Sequence, residues 1–194
     1  MSSQEFQQAS ALIKQRQSIF PNSFSDEKIS NELILAILEN ANQAPTHKQT
    51  EPWRFKIVTP DNLEAFADFC QLAYREYYTE EEYVERKYKK IKSKILASSH
   101  IIIISMQRDS NAIVPEWEEI AAVACAVQNI YLSLMPAGLG GYWSTAKFVI
   151  EKIGGYLSLA EGERCLGLFY LGKPKDVIPP PVVKKPIADK IQWL

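Results

Sequence analysis

Apolar residues recur at two different spacings on the two sides of a polar stretch, residues 44–51. Before this stretch they recur every three or four residues, which predicts a helix; they are Ile29, Leu33, Ile37, Leu38 and Ala41. After it, over residues 53–59, they alternate with charged residues, which predicts a strand. Pro45 ends the helix, and Pro52 holds the residue before it extended. A polar connection restrained at both ends can present hydrogen-bonding groups to a ligand with little freedom to lose; the alternative is an ordinary polar loop.

The same spacings predict the other elements of the chain. Helices are predicted at residues 4–15, 60–78, 115–134 and 148–157, and strands at 100–106, 140–145 and 164–172. The β-branched run 101–104 is typical of a strand buried on both faces. Small residues crowd segment 120–134, which predicts a central buried helix, and Gly138 is expected to cap its end. This order predicts a sheet with helices on its faces, of the α/β or α+β class.

Composition and charge narrow the kinds of protein. The chain has 194 residues, of which 46% are hydrophobic, enough for a single domain spanning residues 1–194. A net charge of −1 argues against nucleic acid as a partner. No apolar run is long enough for a membrane span, and the first residues do not resemble a signal peptide. Three scattered cysteines, Cys70, Cys125 and Cys165, are expected to be reduced core thiols of a cytoplasmic protein. With two histidines and no Cys-x-x-Cys, the sequence predicts no metal site.

Two polar segments carry candidate chemistry or an exposed surface. Arg16, Gln17 and Ser18 follow the first predicted helix and offer a guanidinium, an amide and a hydroxyl, which suit a phosphate; a basic helix end is the alternative. Residues 79–94 are rich in Glu, Lys and Arg, with Glu82–Arg86 and Glu85–Lys89 spaced as helical ion pairs. A solvated helix face is the favoured interpretation of that run. Five nearby tyrosines also allow a mobile flap over a pocket; they are Tyr74, Tyr77, Tyr78, Tyr83 and Tyr88.

One glycine segment was a candidate for a dinucleotide-binding fingerprint. Gly138, Gly140 and Gly141 do not have the required spacing, because Trp143 stands where the third glycine belongs. The segment also follows a helix and precedes a strand, which is the reverse of the order that the fingerprint requires. The sequence therefore does not predict a dinucleotide-binding fold.

Four motifs, in order, resemble the flavin-dependent nitroreductase family over nearly the full length. They are Arg16-Gln17-Ser18 for Arg-Arg-Ser, Ala44-Pro45-Thr46 with Glu51-Pro52-Trp53 for Ala-Pro-Ser and Gln-Pro-Trp, Gly138-Leu139-Gly140 for Gly-x-Gly, and Leu171-Gly172-Lys173-Pro174 for Leu-Gly-x-Pro. The order Pro45, His47, Lys48 is most similar to the compact, short-chain subgroup. The resemblance implies an α+β fold with a central mixed sheet flanked by helices, and a C-terminal tail exchanged across a homodimer.

The resemblance also implies chemistry. FMN would lie at the subunit interface, and NAD(P)H would pass a hydride to it for delivery by a ping-pong scheme to a nitroaromatic, a quinone or a similar small-molecule acceptor. Arg16, Gln17 and Ser18 would hold the phosphate and ribityl chain, with Lys185 as a second phosphate cation. Gln43, His47 and Gln49 would face the flavin, from the same subunit or its partner, and Trp143, Ser144 and Thr145 would lie along it. No catalytic residue is assigned, because the flavin carries the chemistry.

Four positions depart from the family pattern. Gln17 stands where the family has Arg, and Phe20 where it often has a basic residue. Gln49 stands where the family frequently has Asn, and Glu51 where it has Gln. One cationic contact is lost at Gln17, so phosphate affinity and flavin potential are expected to differ from those of typical members. The alternatives to an enzyme are therefore an FMN carrier or sensor with little turnover, and a dimeric interaction protein without a cofactor.

Overall fold

The computed structural model describes residues 3–178 and 180–194. Its helices are α1 (Gln4–Gln15), α2 (Asn31–Ala41), α3 (Leu63–Tyr77), α4 (Glu85–Leu96), α5 (Glu116–Leu134) and α6 (Lys147–Lys152). Its strands are β1 (Trp53–Val58), β2 (His100–Gln107), β3 (Gly140–Ser144) and β4 (Glu163–Gly172). Short 3-10 turns occur at Pro21–Ser23, His47–Gln49, Pro60–Asn62, Ile153–Gly155 and Ile187–Lys190.

The strands form a sheet in the order β1-β2-β4-β3, so that β1 and β3 are its edges. All three neighbouring pairs are antiparallel. The predicted α+β class is confirmed, but the sheet of this chain is antiparallel rather than mixed. The reason lies in the connections: β2 and β3 run in the same direction, yet β4 lies between them, so no parallel pair is hydrogen-bonded.

The sheet separates two hydrophobic cores, and this accounts for its apolar strands. On one face α2 and α5 cover Ile102, Ile104 and Phe169. On the other face α3, α4 and α6 cover Ile101, Ile103 and Leu168. Side chains on both faces of β2 and β4 are therefore buried, as a strand covered on both faces requires.

Several elements match the sequence-based predictions closely. The helix predicted at residues 4–15 is α1, and its N-cap Ser3 accepts a bond from the Phe6 amide at 3.2 Å. Gly138 has a positive φ of 67° and follows α5 as its predicted cap. In the C-terminal tail, Pro179 lies outside the described residues.

The charged run 79–94 is only partly helical. Glu82 folds back onto the Thr79 amide at 3.3 Å, and α4 begins three residues later, at Glu85. The predicted Glu82–Arg86 pair is therefore absent from the ion pairs of the described residues, whereas Glu85–Lys89 is formed at 3.1 Å. The tyrosines of this region pack ring to ring, with Tyr74 against Phe148 at 5.3 Å. They belong to the second core, which favours the solvated-face interpretation over a flap.

The cysteines divide between core and surface. Cys70 and Cys165 are buried thiols, as predicted, and Cys125 is exposed, so the prediction of a core thiol at Cys125 is wrong. Cys125 lies on the outer face of α5, where Ala121, Ala124 and Gln128 are also exposed. The helix is buried on its other side alone, because nothing in residues 3–178 and 180–194 forms a second layer over its outer face.

Candidate cofactor site at the edge of the sheet

The segment Arg16 to Phe20 lies against β3, the edge strand. The Ile19 amide donates to the Gly141 carbonyl oxygen at 2.9 Å. A Cβ placed on Gly140 would lie 2.8 Å from the Ile19 Cβ, and one on Gly141 would lie 2.3 Å from the Phe169 ring. Larger residues at these positions would push the segment or the ring away. The Gly140-Gly141 pair therefore brings the segment to the sheet.

Tyr131, on α5, ties this segment to β3. The Arg16 guanidinium lies 5.0 Å from the centre of the Tyr131 ring, and the Ser18 and Tyr131 hydroxyls are 3.2 Å apart. The Trp143 amide donates to the same Tyr131 hydroxyl at 2.9 Å. Three of the predicted site residues thus converge on one side chain. Sequence reasoning missed Tyr131, because a tyrosine in an apolar helix carries no signal of its own.

A cavity of about 820 Å³ opens beside Arg16 and Ser18. Three cations line it, Lys14, Arg16 and Lys184. Within the described residues, none of these cations has a carboxylate oxygen within 4.0 Å. Unpaired cations around a cavity favour an anion. Lys184 lines this cavity, whereas the predicted Lys185 has an exposed side chain and is not part of its lining.

A second cavity, of about 510 Å³, lies beside Phe20, at the end of the same segment. Phe20, Lys90 and Lys94 line it, together with Asn22 and Ser93. The Phe20 ring centre is 4.5 Å from that of Tyr142, and the Lys94 ammonium is 5.5 Å from the Tyr142 ring centre. Burial, assisted by the charge of Lys90, lowers the pKa of Lys94. The sequence places Lys94 in a solvated run, but the fold turns it toward the site.

Trp143 supplies a buried donor that has no partner. Its Nε1 has no hydrogen-bond acceptor within the described part of the chain. The indole packs over Gly167, where a Cβ would lie 2.7 Å from Nε1. Ser144 is half-buried and Thr145 is exposed beyond the end of β3. A buried donor without an acceptor, on the strand that contacts the segment of Arg16 and Ser18, fits a ligand that has both a phosphate and a hydrogen-bond acceptor, as FMN has.

The polar loop after α2 contacts α5 near the start of that helix, away from Tyr131. His47 Nδ1 is 2.6 Å from a carboxylate oxygen of Glu118, and Gln43 and Gln49 are exposed. Glu118 and Tyr131 are thirteen residues apart on α5, about 20 Å at about 1.5 Å per residue. The structure thus brings together Arg16, Ser18 and Trp143, and it leaves His47 with the far end of the helix.

Two features bear on other kinds of site. Within residues 3–178 and 180–194, no group of three or more His, Cys, Asp or Glu side chains is placed to hold a metal ion. In the same residues, no helix combines the length and the apolar character needed to cross a membrane.

Comparison with known proteins identifies the family. Residues 13–173 match the family model of the nitroreductase family. YfhC of Bacillus subtilis, which carries the provisional name NAD(P)H nitroreductase, is 28% identical over 187 residues, 92% of this chain and 90% of YfhC. A nitroreductase-like family protein from Bacillus cereus has a similar structure, with 26% identity, a TM-score of 0.78 and 95% of each chain covered.

A further solved structure shares the fold and is described with its ligand. The FMN-dependent nitroreductase NfnB of Mycobacterium smegmatis, in complex with NADPH, superposes with a TM-score of 0.78 at 15% identity, covering 98% of this chain and 99% of NfnB. The chain belongs to the nitroreductase family, and it is an oxidoreductase. The resemblance drawn from four short motifs is confirmed.

Proposed function

We propose that the protein is an FMN-dependent NAD(P)H oxidoreductase that reduces nitroaromatic compounds, quinones or similar electron-poor acceptors. The observation that carries this proposal is the pair of cavities flanking Arg16 to Phe20. One is basic and suits a phosphate, and the other offers an aromatic wall and a half-buried ammonium. Bound FMN would supply the hydride chemistry, and the protein would supply binding, orientation and electrostatics.

Each site residue has a role that follows from its chemistry. Arg16, with Lys14 and Lys184, would bind the phosphate through charge-assisted bonds, and Ser18 would add a hydroxyl. Lys94 would place positive charge where the reduced cofactor gains negative charge, an arrangement that stabilises the reduced form. The free Trp143 Nε1 would donate a hydrogen bond to the ring. Gln17 adds no charge, so Arg16 is the cation of its triad.

Two copies of the chain would complete the site. Helix α1 has no buried residue, and Phe6 and Ile13 are exposed on it. The tail exposes Val183 and Trp193, each at least 90% accessible. Apolar surface of this extent favours a partner. A two-fold axis near residues 124–125 of α5 would set Glu118 of one copy opposite Tyr131 of the other, since these positions are equally far from it. His47 would then serve the site of the partner subunit.

Spectroscopy of the purified protein tests the proposal. We expect FMN absorbance after reconstitution, bleaching by NADH or NADPH without oxygen, and recovery on adding a quinone. Parallel double-reciprocal plots would support ping-pong turnover. FMN that stays oxidised with both nucleotides would favour the carrier or sensor, and failure to bind FMN would favour the cofactor-free interaction protein. The three free thiols agree with a reducing, cytoplasmic location.

A further inference from the structure

The bond between His47 and Glu118 leaves one ring nitrogen of the imidazole free. A carboxylate only accepts hydrogen bonds, so His47 Nδ1 carries the hydrogen that it donates to Glu118 at 2.6 Å. No hydrogen-bond partner of Nε2 occurs in the part of the chain that the structure describes. The His47 side chain is 57% exposed and that of Glu118 is 23% exposed. Glu118 therefore fixes the ring while Nε2 faces outward.

The loop that carries His47 is held in an unusual backbone conformation. Lys48, Gln49 and Glu51 all have positive φ angles, of 55°, 55° and 41°. Non-glycine residues adopt this region at a cost, and they keep it only where the surroundings enforce it. Here the Thr46 hydroxyl lies 3.1 Å from that of Thr50 and accepts from the Glu51 amide at 3.1 Å. Hydrogen bonds within the loop thus hold the backbone that carries the imidazole.

We propose that His47 donates the proton in the reduction of the acceptor and that Glu118 is its positioning residue. This inference rests on the proposed function and on the two-copy arrangement, which bring Nε2 to the partner subunit's cofactor pocket. The alternative is that the exposed pair of His47 and Glu118 only anchors the loop and has no part in the reaction. Imidazole suits the role because it exchanges protons near neutral pH, and a carboxylate on Nδ1 sets its tautomer and orientation.

The step balances for a quinone. With reduced FMN bound as the hydride source, the quinone would gain a hydride, equivalent to one proton and two electrons, and would become a hydroquinone monoanion. For this step the His47 ring would carry hydrogens on both nitrogens, one on Nδ1 donated to Glu118 and one on Nε2. The Nε2 proton would pass to the anionic oxygen, so that an N–H bond breaks, an O–H bond forms and a neutral imidazole with its hydrogen on Nδ1 remains. The product is neutral hydroquinone, and the imidazole recovers its proton from solvent. Glu118 keeps its hydrogen bond to Nδ1 throughout and is not itself protonated.

The test separates the two half-reactions by anaerobic stopped-flow in H₂O and in D₂O. His47→Gln keeps a donor but cannot transfer a proton. It should slow reoxidation by 2-methyl-1,4-naphthoquinone by about 100-fold or more, since a general acid typically contributes about 100- to 10,000-fold. It should also move the solvent isotope effect of this half-reaction toward unity. Reduction by NAD(P)H should change far less. Glu118→Gln should produce a smaller slowdown of the same half-reaction.

Glu116→Gln is the matched control. Glu116 lies two residues before Glu118 on α5 and pairs with Arg164 at 2.9 Å. Its replacement therefore removes an ion pair of the same helix without touching His47. A slowdown of reoxidation in this variant equal to that in Glu118→Gln would overturn the positioning role.

A second readout needs no turnover. The chain has two histidines, and His100 is buried between Ser99 and Asn31, so ¹⁵N spectra of labelled rings give His47 with an internal reference. In the neutral ring, the state left after proton donation, Glu118→Gln should shift His47 from the Nδ1–H toward the Nε2–H tautomer, and Glu116→Gln should not. If FMN binds and is reduced but His47→Gln leaves reoxidation unchanged, this inference fails and the proposed function stands. If FMN is not bound or not reduced, the proposed function itself fails.

Discussion

Replacing Arg16 by alanine tests the phosphate site most directly. Its guanidinium is half-buried at the basic cavity, over the Tyr131 ring at 5.0 Å. A hydrogen bond to a charged group contributes about 1.5 to 3 kcal/mol, and about 1.4 kcal/mol is a factor of ten in affinity. Arg16→Ala should therefore weaken FMN binding by about 10- to 100-fold. Binding should not vanish, because Lys14 and Lys184 remain.

The comparison with riboflavin isolates the phosphate contribution. Riboflavin lacks the phosphate, so wild type and Arg16→Ala should bind it almost equally in fluorescence-quenching titrations. Arg86, exposed on α4, provides the control variant Arg86→Ala, which should bind both ligands like wild type. Losing the contact with Tyr131 should lower the free energy of unfolding by only about 0.5 to 1 kcal/mol. Equal FMN affinity in wild type and Arg16→Ala would refute the phosphate role, and an equal loss for both ligands would indicate a distorted site.

Three further predictions concern backbone conformation, pH and assembly. Gly167 has a φ of 135° and faces the Trp143 indole. Gly167→Ala should therefore lower the free energy of unfolding by about 1 to 3 kcal/mol. The control Gly155→Ala, where a Cβ would lie in open space, should leave the urea midpoint nearly unchanged. Burial and a nearby lysine lower the pKa of His100, so unfolding takes up a proton and stability should fall as pH drops below about 6.5. Urea titrations from pH 7.5 to 5 should show a shallower fall for His100→Gln. In the proposed dimer Cys125 lies close to its counterpart, so a short bis-maleimide should cross-link the two subunits, and retention of a monomer band would count against the α5 pairing.

Local pattern was enough to predict most elements of the fold. The spacing of apolar residues reports which side of a segment is buried, so α1, α5 and the buried strand β2 could be predicted from the sequence. Gly138 marked the end of α5 because glycine readily adopts a positive φ. The motif Arg16-Gln17-Ser18 could be recognised since guanidinium and hydroxyl groups suit a phosphate wherever they occur together.

The composition of the site, in contrast, was decided by tertiary structure. Lys94 and Lys184 line the cavities beside residues 16–20, and Tyr131 contacts Arg16 and Ser18. All three come from distant parts of the chain, and each alone resembles a core or surface residue. Strand direction also escaped prediction, because β4 inserts between β2 and β3 and only long-range pairing records this. The bond between His47 and Glu118 joins residues 71 apart in sequence. Contacts of this kind depend on packing in three dimensions, which residue spacing along one segment does not encode.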